Sequence, residues 1–353
     1  MPQFHDLPLP LPAPEFLLKA MLVIFFILHI IFVEMMVGAT ILCTYFEWKG
    51  LKEKNTFFDK VAFEIAKSIT VNKSMAVVLG VGPLLLINVT YTIFFYSSSV
   101  LIGNAWILVI PMAISAFLIT YLHQYAWDWF ENYKKLHVTL IAVASLHFLI
   151  IPFFFLTNTN LMWFPTVWDQ IHGFFSALFY PNIFARYFFF LSTTLTVTGI
   201  FLNWLFNKKI KNDEFHYPNK DSLDNLFLSF NRFVLVGMFG QMLFGSVVIF
   251  TAQKEGLDKN LIPLLIGVAI FFIPPMINMA NANLNKKTLS DFQFKTTVVS
   301  LFISIIFAGV LRHHFRENAL LPHQVNMKKN TEIYLEKIKN AKKNYGVKDY
   351  KYE

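Results

Sequence analysis

Long apolar stretches recur along the chain and are separated by short polar connections. Each stretch is about eighteen residues or longer, which is enough to cross a hydrocarbon core of about 30 Å as an α-helix. None shows the alternating ten-residue pattern of a membrane β-barrel. The predicted spans are residues 16–46, 74–98, 102–127, 136–157, 184–207, 230–251, 261–283 and 295–312. The pattern therefore predicts an all-α fold, a polytopic membrane helical bundle of about eight transmembrane helices.

The flanking segments complete the predicted organisation. Residues 1–15 contain the run LPLPLPAPE, whose prolines oppose helix formation and favour an extended lead. Residues 16–312 form the predicted transmembrane bundle. Residues 313–353 are rich in lysine and contain TEIYLEKIKNAKKNYG, which is typical of a basic amphipathic helix. No linker or internal repeat indicates a second membrane domain.

The distribution of lysine and arginine predicts the orientation of the bundle. Sixteen of these residues lie in four alternate connections, against four in the lead and the remaining connections. The sixteen occupy residues 47–73, 128–137, 208–232 and 284–295. The positive-inside rule assigns these connections to the cytoplasm. With eight spans, both termini are then periplasmic, and the expected location is the inner (cytoplasmic) membrane of a bacterium.

Composition excludes several classes of protein. Of the 353 residues, 56% are hydrophobic, 17% aromatic and only 15% charged, whereas a soluble domain carries about 25% charged residues. The net charge of +8 comes from the connections and the tail rather than from one phosphate-binding face, so nucleic acid is not an expected partner. The single cysteine, Cys43, excludes a disulfide framework, a Cys-x-x-Cys metal site and covalent haem attachment. Other side chains must therefore hold any metal or cofactor.

Few ionisable side chains lie within the predicted spans, and each costs free energy there unless it is paired or coordinated. They are His29 and Glu34 on the first span, His123 on the third, His147 on the fourth, and Arg186 and Arg312 near the outer ends of the fifth and eighth. A neutral imidazole among phenylalanine and leucine side chains suits a haem iron. Each histidine could instead hydrogen-bond a backbone carbonyl or a hydroxyl group on a neighbouring helix.

The positions of these residues suggest different roles. His29 and His147 lie near the middle of their spans, so they could ligate one haem from two helices or one haem each. His123 lies nearer the cytoplasm and is a third candidate ligand. Glu34 follows His29 by five residues, an offset of about 140° around the helix. It is a candidate proton carrier or hydrogen-bond partner of a ligand, and a hydrogen-bonded structural acid is the alternative.

Other polar groups lie at or beyond the ends of the spans. His137 is expected to be a solvated interfacial residue beside Lys134 and Lys135. Asp169 and His172 belong to the outer loop WFPTVWDQIHGFF and could handle a quinol proton. The alternative for this loop is an aromatic interfacial segment with incidental polar residues.

Two more features leave alternatives open. The cluster RHHFRENALLPH, which begins at Arg312, could contact a quinone head group or the haem propionates of a partner, or it could mark the membrane boundary. On the seventh span, Pro274 and Pro275 are expected to break or kink the helix, and Asn278 follows them. A polar pocket and ordinary hydrogen bonding between helices both explain this asparagine.

Motifs in the first six spans resemble subunit I of the cytochrome bd ubiquinol oxidase family. HIIFVEMMVG at residues 29–38 is similar to the family's His-x-x-Phe-Val-x-x-x-x-Gly, whose histidine ligates one of two closely spaced active-site haems. Further similar segments follow in the family's order: KLHVTLIAVASLHFLI, TNTNLMWFP, FARYFFFLSTTLTVTGIFL and NRFVLVGMFGQMLFGSVVIFTAQKEG. The resemblance covers about residues 16–257 and implies that His29 is a haem ligand.

The chain also departs from that family. Phe188, Phe189 and Phe190 stand where family members carry the histidine of the low-spin haem, and a short connection replaces the long quinol-binding loop. The paired glutamates of the family's third helix align with an apolar stretch around residues 118–121, and the Gly-Arg-Gln-Pro-Trp segment is absent. The chain is therefore not expected to reduce oxygen by itself.

These features predict a membrane-bound b-type cytochrome subunit of a respiratory quinol/quinone oxidoreductase, which transfers electrons between the quinone pool and periplasmic cytochrome partners. The expected cofactors are one or two haem b groups, with iron bound by His29 and His147, and quinone is the substrate. Expected partners are other membrane subunits, a periplasmic multihaem cytochrome c and the lipid bilayer. Two alternatives stay open: a haem-free structural subunit that keeps the fold as a scaffold, and a transporter with Glu34 and His123 as a proton relay.

Overall fold

The structure, a computed structural model, describes residue 6 and residues 11–345, with side chains described there except at 71–74 and 342–345. Within that part the chain forms ten α-helices and no strand. In order they are α1 Glu15–Glu53, α2 Thr56–Thr90, α3 Thr92–Ile102, α4 Asn104–Tyr125, α5 Lys134–Trp163, α6 Phe174–Leu178, α7 Ile183–Lys211, α8 Lys220–Phe250, α9 Ile262–Leu284 and α10 Asp291–Tyr345. The predicted all-α helical bundle is confirmed.

The number of membrane spans agrees with the sequence. Seven helices of the described part are long and apolar enough to cross a membrane, namely α1, α4, α5, α7, α8, α9 and α10. The two halves of α2, Thr56–Thr70 and Met75–Thr90, meet at an angle of 41° and together supply an eighth candidate. The sidedness of the bundle stays a prediction. In keeping with it, we call the end that contains the start of α1 the outer end and the opposite end the inner end.

The predicted connection at 47–73 is wrong, because most of it is helical. α1 continues to Glu53, and α2 begins at Thr56 after a turn in which Lys54 has a φ of 51°. Asn55 caps α2 by accepting a hydrogen bond from the Phe57 backbone N–H at 3.0 Å. The first half of α2 is amphipathic, with buried positions at Val61, Ala62, Ile65, Ala66 and Ile69. A search for uninterrupted apolar runs misses such a helix, because its charges lie on one face.

The predicted eighth span and the described part of the basic tail, up to Tyr345, form one continuous helix. α10 runs for 55 residues, from Asp291 to Tyr345. Its middle part packs against the outer end of the bundle, where Leu320 is buried beside Leu22, Tyr91 and Trp163. The tail is therefore helical as far as Tyr345, and its first turns belong to the packed bundle.

Small residues bring α1, α7 and α8 close together. A Cβ atom on Gly38 of α1 would lie 2.0 Å from Oγ1 of Thr198 on α7. A Cβ atom on Gly237 of α8 would lie 2.4 Å from Oγ1 of Thr196. Both separations are far inside van der Waals contact, so any larger residue at these two positions forces the helices apart. Membrane helices associate through this kind of small-residue packing.

α9 runs unbroken through Pro274 and Pro275, so of the predicted break or kink the break does not occur. The Asn278 side chain on the next turn donates to the Gln293 backbone oxygen at 3.3 Å and to Oγ1 of Thr297 at 3.2 Å. Both acceptors belong to α10. The asparagine thus joins two helices, which was one of the two explanations that the sequence left open.

Candidate functional site

His29 lies half-buried on the face of α1 that packs against α2. The Nδ1 atom of its ring donates to the Ala76 backbone carbonyl at 2.9 Å. The ring rests on Gly80, where an added Cβ atom would lie 2.6 Å from the imidazole Cε1. Among the described residues, no hydrogen-bond partner is found for Nε2. The backbone of α2 therefore fixes the tautomer and the ring position, and leaves the Nε2 lone pair free.

His147 shows the same tautomer on α5. Its Nδ1 atom donates to the Val143 backbone carbonyl one turn earlier, at 2.8 Å. In the described part of the chain, Nε2 of this ring has no hydrogen-bond partner either. The side chain is partly exposed on the surface of α5. The structure thus anchors His29 and His147 separately, each by a backbone carbonyl.

Glu34 is buried between α1 and α7, at 6% relative exposure. Its carboxylate Oε1 accepts a hydrogen bond from Oγ1 of Thr193 at 2.5 Å. The backbone carbonyl of Glu34 accepts from Oγ1 of Thr198 at 2.9 Å. The carboxylate therefore faces a different helix from His29, as the predicted 140° offset implies.

The inner end of the bundle contains a buried cluster of one acid and two histidines, Glu47, His123 and His137, which we call the triad. Oε2 of Glu47 lies 2.7 Å from Nε2 of His123. The other carboxylate oxygen pairs with Nδ1 of His137. Nε2 of His137 donates to the His123 backbone carbonyl at 2.8 Å. All three side chains are fully buried, and the two rings stack with centroids 3.9 Å apart.

Nδ1 of His123 has no acceptor in the described part of the structure, so we take it as unprotonated, and the hydrogen bonds then give the number of protons that the triad holds. A backbone carbonyl only accepts, so Nε2 of His137 must carry a hydrogen. The two bonds to Glu47 each need one more. Three hydrogens on these side chains give a net charge of zero: either a carboxylic acid lies between two neutral imidazoles, or a carboxylate lies beside one imidazolium. The triad can thus shift a proton between acid and imidazole without changing its total charge.

The triad shows that the prediction for His137 is wrong, and it contains Glu47, which the sequence analysis did not identify as a site residue. His137 was expected to be solvated, yet it is fully buried because the rings of Trp127 and Phe130 cover it, with centroids at 4.7 Å and 5.3 Å. Glu47 was counted among the residues of a connection. Helical spacing indicates its position, because Glu47 follows Cys43 by four residues and precedes Gly50 by three. All three residues therefore share one face of α1, and that face is buried.

His123 has surroundings that differ from those of His29 and His147. One ring face is stacked on His137, and the Trp127 ring packs edge-on with its centroid 5.3 Å away. Nδ1 of His123 is buried without a hydrogen-bond partner among the described residues. No exposed side of this ring is left for a porphyrin. We therefore assign His123 to the triad and make no haem assignment for it.

Possible metal-ligand atoms of Cys43, Glu47 and His123 all lie within 4.8 Å of one another at the inner end. This spacing is close enough for a small metal ion. The thiol of Cys43, however, donates to the Ala62 backbone carbonyl at 3.4 Å. Glu47 and His123 are already bonded to each other. Since Sγ of Cys43, the Glu47 carboxylate and Nε2 of His123 each have a hydrogen-bond partner within the protein, we assign the group to hydrogen bonding.

Asp169 and His172 lie exposed in the outer loop, as their position outside the predicted spans suggested. The His172 backbone N–H donates to Oγ of Ser176 at 2.9 Å, which holds the turn before α6. Within the described residues, the side chains of Asp169 and His172 are not hydrogen-bonded to each other. The loop offers two separate titratable groups at the outer surface.

Comparison with solved structures supports the bd-oxidase-like fold that the sequence resemblance implies. No protein-family model matches the chain, and no curated protein matches it in sequence. Among solved structures, the bd oxidase from Geobacillus thermodenitrificans is similar, with a TM-score of 0.65 and 14% sequence identity. The similarity covers 86% of this chain and 85% of that chain. At this identity the likeness shows the fold alone: the helices are arranged as in a bd oxidase chain.

Proposed function

We propose that this protein is a membrane-embedded b-type cytochrome subunit of a respiratory complex. In this role it passes electrons between the quinone pool and periplasmic cytochrome partners. The observation that carries the proposal is His29, whose ring is anchored at Nδ1 and free at Nε2. The bd oxidase fold, which covers 86% of the chain, supports it. The proposed location is the inner membrane of a bacterium.

The residues present fit the ligand chemistry of a haem. An axial histidine typically donates one ring N–H to a carbonyl or carboxylate, which fixes the tautomer and raises the basicity of the other nitrogen. His29 and His147 both meet this requirement, through Ala76 and Val143. They would hold one or two haem b groups through Nε2. When bound, haem b supplies a one-electron carrier.

Other residues of the chain serve the protons that accompany quinone chemistry. Glu34, held by Thr193 between α1 and α7, is the proposed intramembrane proton acceptor. Asp169 and His172 are the proposed acceptors at the outer surface, where both are exposed. Glu34 lies inside the low-dielectric region and the loop residues lie at its outer surface, so a proton from quinol can be passed outward without a permanently buried charge.

The surface of α10 suggests which partners the protein binds. The distal part of α10 carries exposed lysines, among them Lys328, Lys329, Lys337 and Lys339. A row of exposed ammonium groups attracts an acidic surface and raises the rate of encounter with it. A periplasmic multihaem cytochrome c is the proposed soluble partner, and further membrane subunits of the complex are the proposed neighbours in the bilayer.

Ligand variants test the proposal. Reduced-minus-oxidised spectra of the purified protein are recorded for the wild type and for His29→Ala and His147→Ala. We expect a b-type α-band that falls in His29→Ala. His216→Ala is the matched control, because His216 is exposed in the α7–α8 connection, and its spectrum should equal that of the wild type. A full haem signal in both ligand variants would exclude these residues as ligands.

A haem-free scaffold is the second candidate, and the close packing of α1, α7 and α8 favours it. Gly38 and Gly237 bring these helices into contact through their backbones, and three phenylalanines occupy the start of α7. In that case the bond from His29 to Ala76 only joins two helices. His29→Ala would then lower the Tm without any change in a visible spectrum, and the wild-type protein would carry no haem.

A further inference from the structure

Three arginines converge at the outer end of the bundle. Arg186 of α7 stacks on the Trp163 ring, with its guanidinium carbon 4.3 Å from the ring centroid. Arg312 of α10 lies 5.9 Å from the same centroid and 4.1 Å from that of Phe26. One turn later, Arg316 lies over the Tyr91 ring at 4.6 Å. We call Arg186, Arg312 and Arg316 the arginine cluster.

The carboxylates near this cluster are already occupied by other groups. Glu15 pairs with Lys19 at 2.6 Å. Glu317 pairs with the same lysine and also accepts the Tyr91 hydroxyl hydrogen bond. In the part of the chain that the structure describes, no arginine of the cluster forms an ion pair. Four cationic side chains thus face two carboxylates here, and the neighbouring His313 and His314 add charge when protonated.

Burial makes this imbalance costly. Arg316 is only 2% exposed, and its Nε atom has no hydrogen-bond partner among the described residues. Nη1 of Arg186 is likewise buried without a partner. The contacts that are made go to neutral groups, such as the bond from Arg316 to Nδ1 of His313 at 2.7 Å. A buried guanidinium needs an anion to offset its lost hydration.

A cleft between α1 and α10 is lined by Arg316, which carries one of these unpartnered donors, and by Arg312. The cleft is narrow, with room inside for about one water molecule, and it opens to the outside. Phe26 and Leu22 form an apolar wall, and Arg312 and Arg316 form a cationic wall. Gly309 also lines the cleft, and a Cβ atom there would lie 2.6 Å from Cδ1 of Ile27. The glycine thus lets the two helices approach just beside the cleft.

We propose that the open mouth of this cleft is a binding site for a phosphate group at the membrane boundary. The guanidinium fork matches phosphate oxygens in a bidentate geometry, and the aromatic rings hold the guanidinium planes in place. The apolar wall and the position of Arg312 after the apolar part of α10 favour a phosphate that is attached to an acyl chain, as in an anionic phospholipid. Free inorganic phosphate shares the same recognising chemistry. The site is independent of haem binding.

Thermal unfolding of the full-length protein tests the proposal. The protein is purified with extensive detergent exchange, and the Tm is measured with added phosphatidylglycerol, phosphatidylcholine or sodium phosphate. Because a ligand of the native state raises stability with its concentration, phosphatidylglycerol should raise the Tm at concentrations where phosphatidylcholine does not. Arg312→Gln and Arg316→Gln should weaken the apparent affinity about tenfold or more.

The controls separate ligand binding from folding. Arg232→Gln removes an exposed arginine on α8 and should keep the full rise in Tm. Arg312 is less buried than Arg316, so Arg312→Gln stays informative if the other variant fails to fold. An equal rise with sodium phosphate would identify the free ion as the ligand of the same site. No rise with either phosphate source, or a full rise in Arg312→Gln, would overturn the proposal.

Discussion

The two ends of the bundle solve the problem of buried charge in opposite ways. At the inner end, the triad contains one acid and two histidines whose hydrogen bonds sum to a neutral group. At the outer end, the arginine cluster keeps its charges without ion pairs among the described residues, and two buried donors stay unpartnered. Glu47 lies 21 positions after Phe26 on α1, so the ends are about 30 Å apart.

The comparison teaches how to separate a structural polar cluster from a binding site. The triad supplies its own partners, so nothing external is needed to bury it. The arginine cluster has an excess of donors and of positive charge, and an external anion completes it. Total charge and unmet hydrogen bonds therefore separate the two cases better than burial does, since both clusters contain buried polar atoms.

Removing the acid of the triad should have the largest effect on stability. Glu47→Ala leaves ring nitrogens of His123 and His137 buried without a hydrogen-bond partner, and removing one partner of such a buried acid–histidine group typically costs about 3–5 kcal/mol. We expect a large fall in the Tm of the purified protein. Glu53→Ala, at the exposed end of the same helix, is the control and should leave the Tm nearly unchanged. A small effect of Glu47→Ala would mean that the triad is not a coupled unit.

Glu317→Gln should have the next largest effect, at the other end. It removes a carboxylate that binds Lys19 and Tyr91, and so adds one more unbalanced positive charge. We expect a loss of about 1–3 kcal/mol, and a larger rise in Tm with phosphatidylglycerol than the wild type shows. If the rise in Tm with phosphatidylglycerol is instead smaller than in the wild type, Glu317 rather than the arginines controls lipid binding at this site.

Glu47→Gln should be much milder than Glu47→Ala. The amide can donate to Nδ1 of His137 and accept from Nε2 of His123, so every bond of the neutral triad is preserved. We expect a change of less than about 1 kcal/mol, measured as Tm beside the alanine variant. Equal losses for both variants would show that the triad holds a carboxylate beside an imidazolium and would contradict the form with a carboxylic acid between two neutral imidazoles.

Lys209→Gln should have the smallest effect of this set. Lys209 pairs with Glu64 at 2.8 Å near the inner end, where Glu64 also binds Lys67 at 3.1 Å. An ion pair of this kind contributes about 0–1 kcal/mol and weakens with salt. The difference in Tm from the wild type should shrink as ionic strength rises. A loss as large as that of Glu47→Ala would place Glu64 among the essential buried groups.

Hydropathy predicted the spans because each is a long, largely apolar run, and a helix needs such a run to cross the hydrocarbon core of a bilayer. It missed the first half of α2, where Lys60, Glu64 and Lys67 interrupt the pattern on the polar face of the helix. The offset between His29 and Glu34 was predictable, since it depends only on the geometry of one helix. Local periodicity of this kind is what a sequence displays most directly.

The triad was not predictable in the same way. Its three residues are separated by 76 and 14 positions in the chain, and only helix packing brings them together. Burial of His137 depends on Trp127 and Phe130, which a polar connection does not reveal. The charge imbalance of the arginine cluster also appears only in three dimensions, because the sequence does not show that Lys19 occupies Glu317.

The haem content of the purified wild-type chain tests the proposed function most directly. The protein is produced in cells with an ample haem supply, its monodispersity is checked, and haem is quantified per chain by a pyridine haemochrome assay. The account predicts at least one b-type haem per chain. A well-folded, monodisperse protein without haem would contradict it and would leave the scaffold as the function of the fold.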